Sequence, residues 1–206
     1  MQTSFIFSIL RAIRRARVGI LTIAATYAIS IAVGIIMVHA GNSFALDYGN
    51  RLVGQAQKGS TLQAVGRNEN LKAAFLDFGG NLFIGAIPKT VTGIAVIGPY
   101  PFVAYQGWIG GIVSVRRDHS SRLNDIRSAT YYLVTLLLQV LAYSLAIGGG
   151  VNLGVAMLKP AGYYQDKKWL SLFPREALRD LARIYVLVVP IFLIASMWEF
   201  LGPWNF

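Results

Sequence analysis

Four stretches of this chain, residues 18–46, 90–115, 128–158 and 184–198, contain no Asp, Glu, Lys or Arg. The first three are each longer than the roughly 20 apolar helical residues that cross a hydrocarbon core. A soluble domain spreads its charges along the chain and carries about 25% of them. Here only 14% of residues are charged, 55% are hydrophobic, and the charges gather in short polar segments between the apolar runs. The chain is therefore expected to be an all-α, polytopic transmembrane bundle forming a single membrane domain over residues 1–206.

The polar segments set the order of the spans. Residues 1–17 combine Phe5, Phe7, Ile9 and Leu10 with Arg11, Arg14, Arg15 and Arg17, which reads as an interfacial helix whose arginines meet lipid headgroups and hold the N-terminus on the cytoplasmic side. A first span over about 18–38 is too long for a cleaved signal segment and is read as retained. Residues 39–72 are polar and Gly-rich, an extramembrane connector in which 46–62 has the composition of one amphipathic helix. A second span is expected over about 73–97, a turn at Gly98-Pro99-Tyr100-Pro101, and a third, short or re-entrant element over 102–115. The fourth span covers about 128–147 and is expected to break at Gly148-Gly149-Gly150. Residues 159–181 form an interfacial loop with Trp169 on the headgroup layer. The last span runs over about 182–201, with Trp198 and Trp204 at the far interface. This makes about five spans in a bacterial cytoplasmic (inner) membrane.

Several chemistries find no support in the residues. With no cysteine, thiolate metal sites and disulfides are excluded, and His39 and His119 have no convergent ligands nearby, so no metal and no cofactor is expected. Neither GxGxxG nor GxxxxGK[ST] occurs, which leaves no autonomous nucleotide binding, and no serine-hydrolase elbow is present. The net charge of +10 sits at span edges, where anionic lipid, rather than nucleic acid, is the natural partner. The chain is expected not to be an enzyme.

Within the apolar runs, Asp77, Lys89 and Glu199 are the ionisable exceptions, accompanied by Asn81, Gln106, Gln139 and Asn152. A charge deep in lipid costs about 3 kcal/mol on insertion scales and faces protein or water. Lys89 has three readings: a lysine snorkelling to an interface, a partner of buried Asp77 or Glu199, or part of a transport path. Asp77 and Lys89 lie about 18 Å apart along a continuous helix and do not pair within it. Gly85, Gly107, Gly110, Gly111 and Gly154 mark faces where helices approach closely, within the bundle or against a partner.

Asn81 followed by Gln106-Gly107-Trp108-Ile109-Gly110 resembles the paired Asn and Asn-Gly-x-x-Gly signature of the stage II sporulation protein M family. The run 189–200, with Pro190, Ala195 and Glu199 ahead of Pro203, is similar to that family's final helix. Gln106 stands where asparagine is expected. Thr135 and Gln139 stand where the family often has the His and Glu of a His-Gly-x-x-Glu element, so no proton or metal chemistry carries over from it. The resemblance, over about 71–203, implies an integral membrane protein of about five helices. Members in spore formers act with a peptidoglycan-degrading partner. Two functions are expected from these readings. The first is a non-catalytic membrane scaffold or accessory subunit packing against other integral membrane subunits or copies of itself. The alternative is a permease or transporter subunit with a polar path near Asn81, Lys89 and Gln139.

Overall fold

Helix α1 runs without a break from Phe5 to His39 in the computed structural model, which describes residues 5–116, 118–159, 162–164, 168–169 and 172–202. Nothing in this segment stops a helix, so the expected division at residue 17 into an interfacial helix and a span is not a structural boundary. Its buried residues, Ile9, Ala12, Ala16, Gly19, Ile23, Tyr27, Gly34 and Val38, recur every three, four or seven positions and form one stripe. The opposite face is just as apolar yet exposed, at Val18, Leu21, Ile29 and Ile36. A helix apolar on all sides but covered on one needs an apolar solvent.

Gly41, at φ +74°, ends α1, with the Asn42 amide donating back to Met37 O at 3.0 Å. Asn42 then caps α2 (Ser43–Ala56) by accepting from the Ala45 amide at 3.0 Å. The connector thus holds two short helices, α2 and α3 (Ser60–Gly66), instead of a single helix over 46–62.

The second apolar segment is one helical rod in three parts: α4 (Asn70–Gly79), a π-helical segment (Gly80–Ala86) and α5 (Ile87–Gly93). Pro88 accounts for the widened turn. It has no N–H to give to residue 84, and its ring would strike that carbonyl in a regular α-helix. The chain reverses over 94–98, where Val96 is held at φ 61°. Helix α6 (Pro99–Ile112) starts on the two prolines that were expected to form a turn. The missing proline N–H is harmless in a first helical turn, where no acceptor awaits it.

Helix α7 (Ile126–Leu158) passes straight through Gly148, Gly149 and Gly150, correcting the expected break. Successive helical residues point about 100° apart, so the three glycines face three different neighbours. A Cβ on Gly148 would sit 2.5 Å from Ile20 Cα of α1, one on Gly150 would strike Thr90 O of α5, and one on Gly149 would meet Leu181 Cδ1 at 2.9 Å. Packing on all three sides outweighs the cost of glycine in a helix, about 1 kcal/mol each. A 3-10 turn (Gly162–Tyr164) and a two-residue hairpin, β1 (Lys168–Trp169) with β2 (Phe173–Pro174), lead into α8 (Arg175–Leu201).

The result is a mostly helical bundle in which α1, α7 and α8 are each long and apolar enough to cross a membrane. Cross-contacts give the directions. Helix α6 runs parallel to α1, with Tyr100 beside Thr22 and Gly111 beside Ile31. Helix α7 runs antiparallel to α1, with Gly148 against Gly19 and Tyr143 near Tyr27. Helix α8 runs antiparallel to α4, with Ser196 beside Asp77 and Phe200 beside Ala73 and Ala74. One end of the bundle gathers Arg15, Tyr164 and Asp180, and the other gathers His39, Ser121 and Phe200.

Candidate functional site: a polar vestibule

The π-helical segment re-aims the side chains around Asn81. Its Nδ2 donates to Asp77 Oδ2 at 2.9 Å, and Ser196 Oγ of α8 donates to the same oxygen at 2.7 Å. From α7, the buried Tyr143 hydroxyl donates to Asn81 Oδ1 at 2.8 Å. Gly85 makes this approach possible, because a Cβ there would collide with the Tyr143 hydroxyl. Lys89 lies on the other side of that tyrosine, its Nζ 4.7 Å from the ring centroid, and donates to Gln106 Oε1 of α6. Tyr27 of α1 donates to the same oxygen at 2.9 Å.

Lys89 is half-buried between an amide oxygen and an aromatic face, and its partners are Gln106 and Tyr143 instead of Asp77 or Glu199. A lysine above a tyrosine ring gains cation–π attraction worth about 2 kcal/mol when desolvated. Three helices, α1, α6 and α7, thus supply the groups around this amine.

Toward the His39 end, α6 packs closely on α1 and meets α7 only at a few points, and the space between α6 and α7 is a cavity of about 330 Å³. Gln106 and Gly110 of α6, Tyr131 and Gln139 of α7, and Glu199 of α8 face it. Gln139 Nε2 donates to Glu199 Oε2 at 3.4 Å, and Tyr132 OH reaches across to Gly110 O at 2.7 Å. A smaller void of about 30 Å³ continues beside Gln106, Gln139 and Tyr143.

Arg122 forms the mouth. It is placed by a small hairpin in which Val115 pairs with Ser121 and the Arg122 amide donates to Ser114 O at 2.8 Å. His39 Nε2 lies 2.9 Å from Ser121 Oγ, fixing the hairpin to the end of α1. The Arg122 Nε and the Thr135 Oγ1 are buried without a hydrogen-bond partner among the described residues.

Beyond Lys89, toward the Arg15 end, the bundle closes. A Cβ on Gly93 would lie 3.0 Å from Ile147 O, one on Gly19 would lie 2.6 Å from Gly148 O, and one on Gly154 would strike Ile94 O. Backbone meets backbone at each of these positions, so among the described residues the vestibule is blind at this end.

The glycines singled out by sequence serve contacts inside the chain. Gly107 packs on Tyr27 O, Gly111 on Ile31 O and Gly34, and Gly154 on Ile94 just after α5, whereas Gly110 meets side chains, the flexible end of Leu136 at 3.0 Å and Ile31 Cγ1 at 3.8 Å, and borders the cavity. Of the arginines assigned to headgroups, Arg11, Arg14 and Arg17 are exposed. Arg15 is turned inward, 3.0 Å from Asp180 Oδ2, because its position falls on the buried stripe beside Ala12 and Ala16. Trp169 lies in β1, and the headgroup contact expected of its side chain falls outside the described residues, as do Trp204 and Pro203.

Sequence reasoning found Asn81, Gln106, Gln139 and Glu199 but not that they converge. It missed Tyr27, Tyr143 and Ser196, whose hydroxyls look unremarkable in apolar runs. It also missed Arg122, which carries no signal beyond lying in a basic loop. No family model, curated protein or solved structure matches the chain.

Proposed function

We propose that this chain is a non-catalytic, multi-pass membrane subunit that works in a larger assembly, similar in kind to the stage II sporulation protein M proteins. The observation that carries the reading is the blind vestibule. A polar cavity sealed at one end by backbone contacts at glycines is suited to receive a group and hold it, and less suited to pass it through. Two further features support it. Asn81, Gln106, Gln139 and Glu199, the positions to which the resemblance points, lie around one polar centre although 118 residues separate the first from the last. The rod from α4 to α5 also presents an unbroken apolar face, with Phe75, Phe83, Ile84 and Val91 exposed, available to lipid or to a neighbouring subunit.

The same reading takes α1, the α4–α5 rod, α6, α7 and α8 as five alternating crossings of a bacterial inner membrane, with the N-terminus placed in the cytoplasm by Arg11, Arg14 and Arg17. The 14 residues of α6 span about 21 Å, so this crossing is short and the chain before and after it lies within the membrane boundary. Extraction in mild detergent after cross-linking is expected to retain a stoichiometric membrane partner or second copy. A lone monomer under every mild condition sinks the proposal.

A transporter subunit is the second reading, favoured by the continuity of the cavity with Gln106 and, through it, Lys89. Because the chain has no cysteine, single cysteines report access cleanly. A cysteine at Gln106 labelled by an impermeant reagent from the Arg122 side alone supports the blind receptor, and labelling from both sides supports a path.

A further inference from the structure

Arg122 and Glu199 line the same cavity without an ion pair between them. Opposite charges that line one cavity attract, and a buried charge is costly unless paired and hydrogen-bonded. The hairpin holds Arg122 at the mouth by its backbone, and the last turns of α8 hold Glu199 in the wall. A ligand that bridges them must carry an acidic group toward the guanidinium and an ammonium toward the carboxylate.

We propose that the vestibule is a receptor for an ammonium–phosphate zwitterion, with phosphoethanolamine chemistry. The phosphate faces Arg122, whose guanidinium is a charge-assisted donor on the cavity wall. The ammonium faces Glu199 and accepts further support from the Gln139 side-chain oxygen, since the Gln139 amide nitrogen is turned to Glu199. Thr135 also lines the wall. A volume of about 330 Å³ lies at the lower end of small-ligand sites, about 300–1,000 Å³, which suits a headgroup. The depth agrees: Glu199 is two residues from the end of α8, and Arg122 belongs to the hairpin tied to the end of α1, so both charges stand where a phospholipid headgroup would lie. Ile109, Val113 and Leu136 form an apolar side to the cavity between α6 and α7, able to accompany the first carbons of an acyl chain.

This inference rests on the vestibule being a receptor, but not on the partner that the receptor serves. Its test uses the full chain purified alone, delipidated in detergent, with added phosphatidylethanolamine, phosphatidylcholine or phosphatidylglycerol, and separately with soluble phosphoethanolamine. Retained lipid is read by native mass spectrometry and by the shift in melting temperature. Phosphatidylethanolamine is expected to be held about tenfold more tightly than the other two, because a quaternary ammonium donates no hydrogen bond and a glycerol headgroup carries no cation. Arg122→Gln and Glu199→Gln are each expected to abolish this preference. Selective binding of soluble phosphoethanolamine with no preference among the lipids keeps the zwitterion and makes its source a free solute. Equal retention of all three lipids by the wild-type chain, with no effect of phosphoethanolamine, overturns the proposal, and that result needs no variant to fold.

Discussion

Arg15 Nη1 lies 3.0 Å from Asp180 Oδ2, a contact that joins the first helix to the last across 165 residues of sequence. Asp180 is fully buried, and it also accepts from Tyr164 OH at 3.0 Å and from Arg183 Nη1 at 2.7 Å. Glu176 lies 3.5 Å from Arg15 and 2.6 Å from Arg183, extending the network along α8. Replacing one member of a hydrogen-bonded charge network leaves the others under-satisfied. Because Arg183 still holds Asp180, Arg15→Gln is expected to cost about 1–3 kcal/mol of stability. The neighbouring Arg14→Gln is expected to leave melting in detergent unchanged, and equal effects of the two would place Arg15 outside the network.

Gly111 and Gly110 are adjacent in sequence but meet different obstacles. A Cβ at 111 would drive into the carbonyl of Ile31 and the backbone of Gly34, which cannot yield without moving α1. At 110 the obstacle is the end of Leu136, which can rotate into the cavity. Gly111→Ala is therefore expected to destabilise by about 1–3 kcal/mol, and Gly110→Ala by less than about 1. Thermal denaturation of the two variants side by side measures the difference, and a reversed order would place α6 elsewhere.

Gly85 and Tyr143 are expected to be coupled. Gly85→Ala displaces the Tyr143 hydroxyl and breaks its bond to Asn81, whereas Tyr143→Phe removes the hydroxyl and with it the obstacle. In a double-mutant cycle the pair should cost less than the sum of the single changes, with a coupling of about 0.5–3 kcal/mol. Strict additivity would separate the two residues.

Acid should loosen the start of α7 first. Asp125 caps that helix, and the Ser128 amide, donating to its Oδ2 at 2.8 Å, holds its carboxyl below the ordinary carboxylate range. A depressed pKa means that the cap stabilises the helix above the unfolded value, about pH 3.9, and is lost as pH falls through the lower folded value. Amide exchange at Ser128, corrected for its intrinsic pH dependence, should rise in that window. Asp125→Asn, which keeps a cap oxygen but cannot titrate, should abolish the rise; persistence of the rise would assign it to another group.

The membrane, the helical class and the approximate placing of the long helices were legible in the sequence, because an uncharged run longer than a bilayer is thick admits few alternatives. Helix continuity was not. Gly148-Gly149-Gly150 and Pro99-Tyr100-Pro101 break isolated helices, yet here the glycines admit three neighbours and the prolines occupy a first turn. Propensity reports the cost to one helix, whereas packing against others is a sum over partners that the local sequence does not name.

The site divides in the same way. Burying a polar side chain in lipid is costly wherever it occurs, so Asn81, Lys89, Gln106, Gln139 and Glu199 stood out from the sequence alone. Which of them meet depended on the π-helical turn before Pro88, on the parallel course of α6 beside α1, and on the cavity left between α6 and α7. The sequence by itself determined that polar groups had to be satisfied inside a bilayer. Only the tertiary structure decided that Lys89 rests on Tyr143 and Gln106, that Arg15 faces Asp180 instead of lipid, and that Arg122 and Glu199 share one space without touching, because each is a relation between helices whose separation and rotation are set by packing.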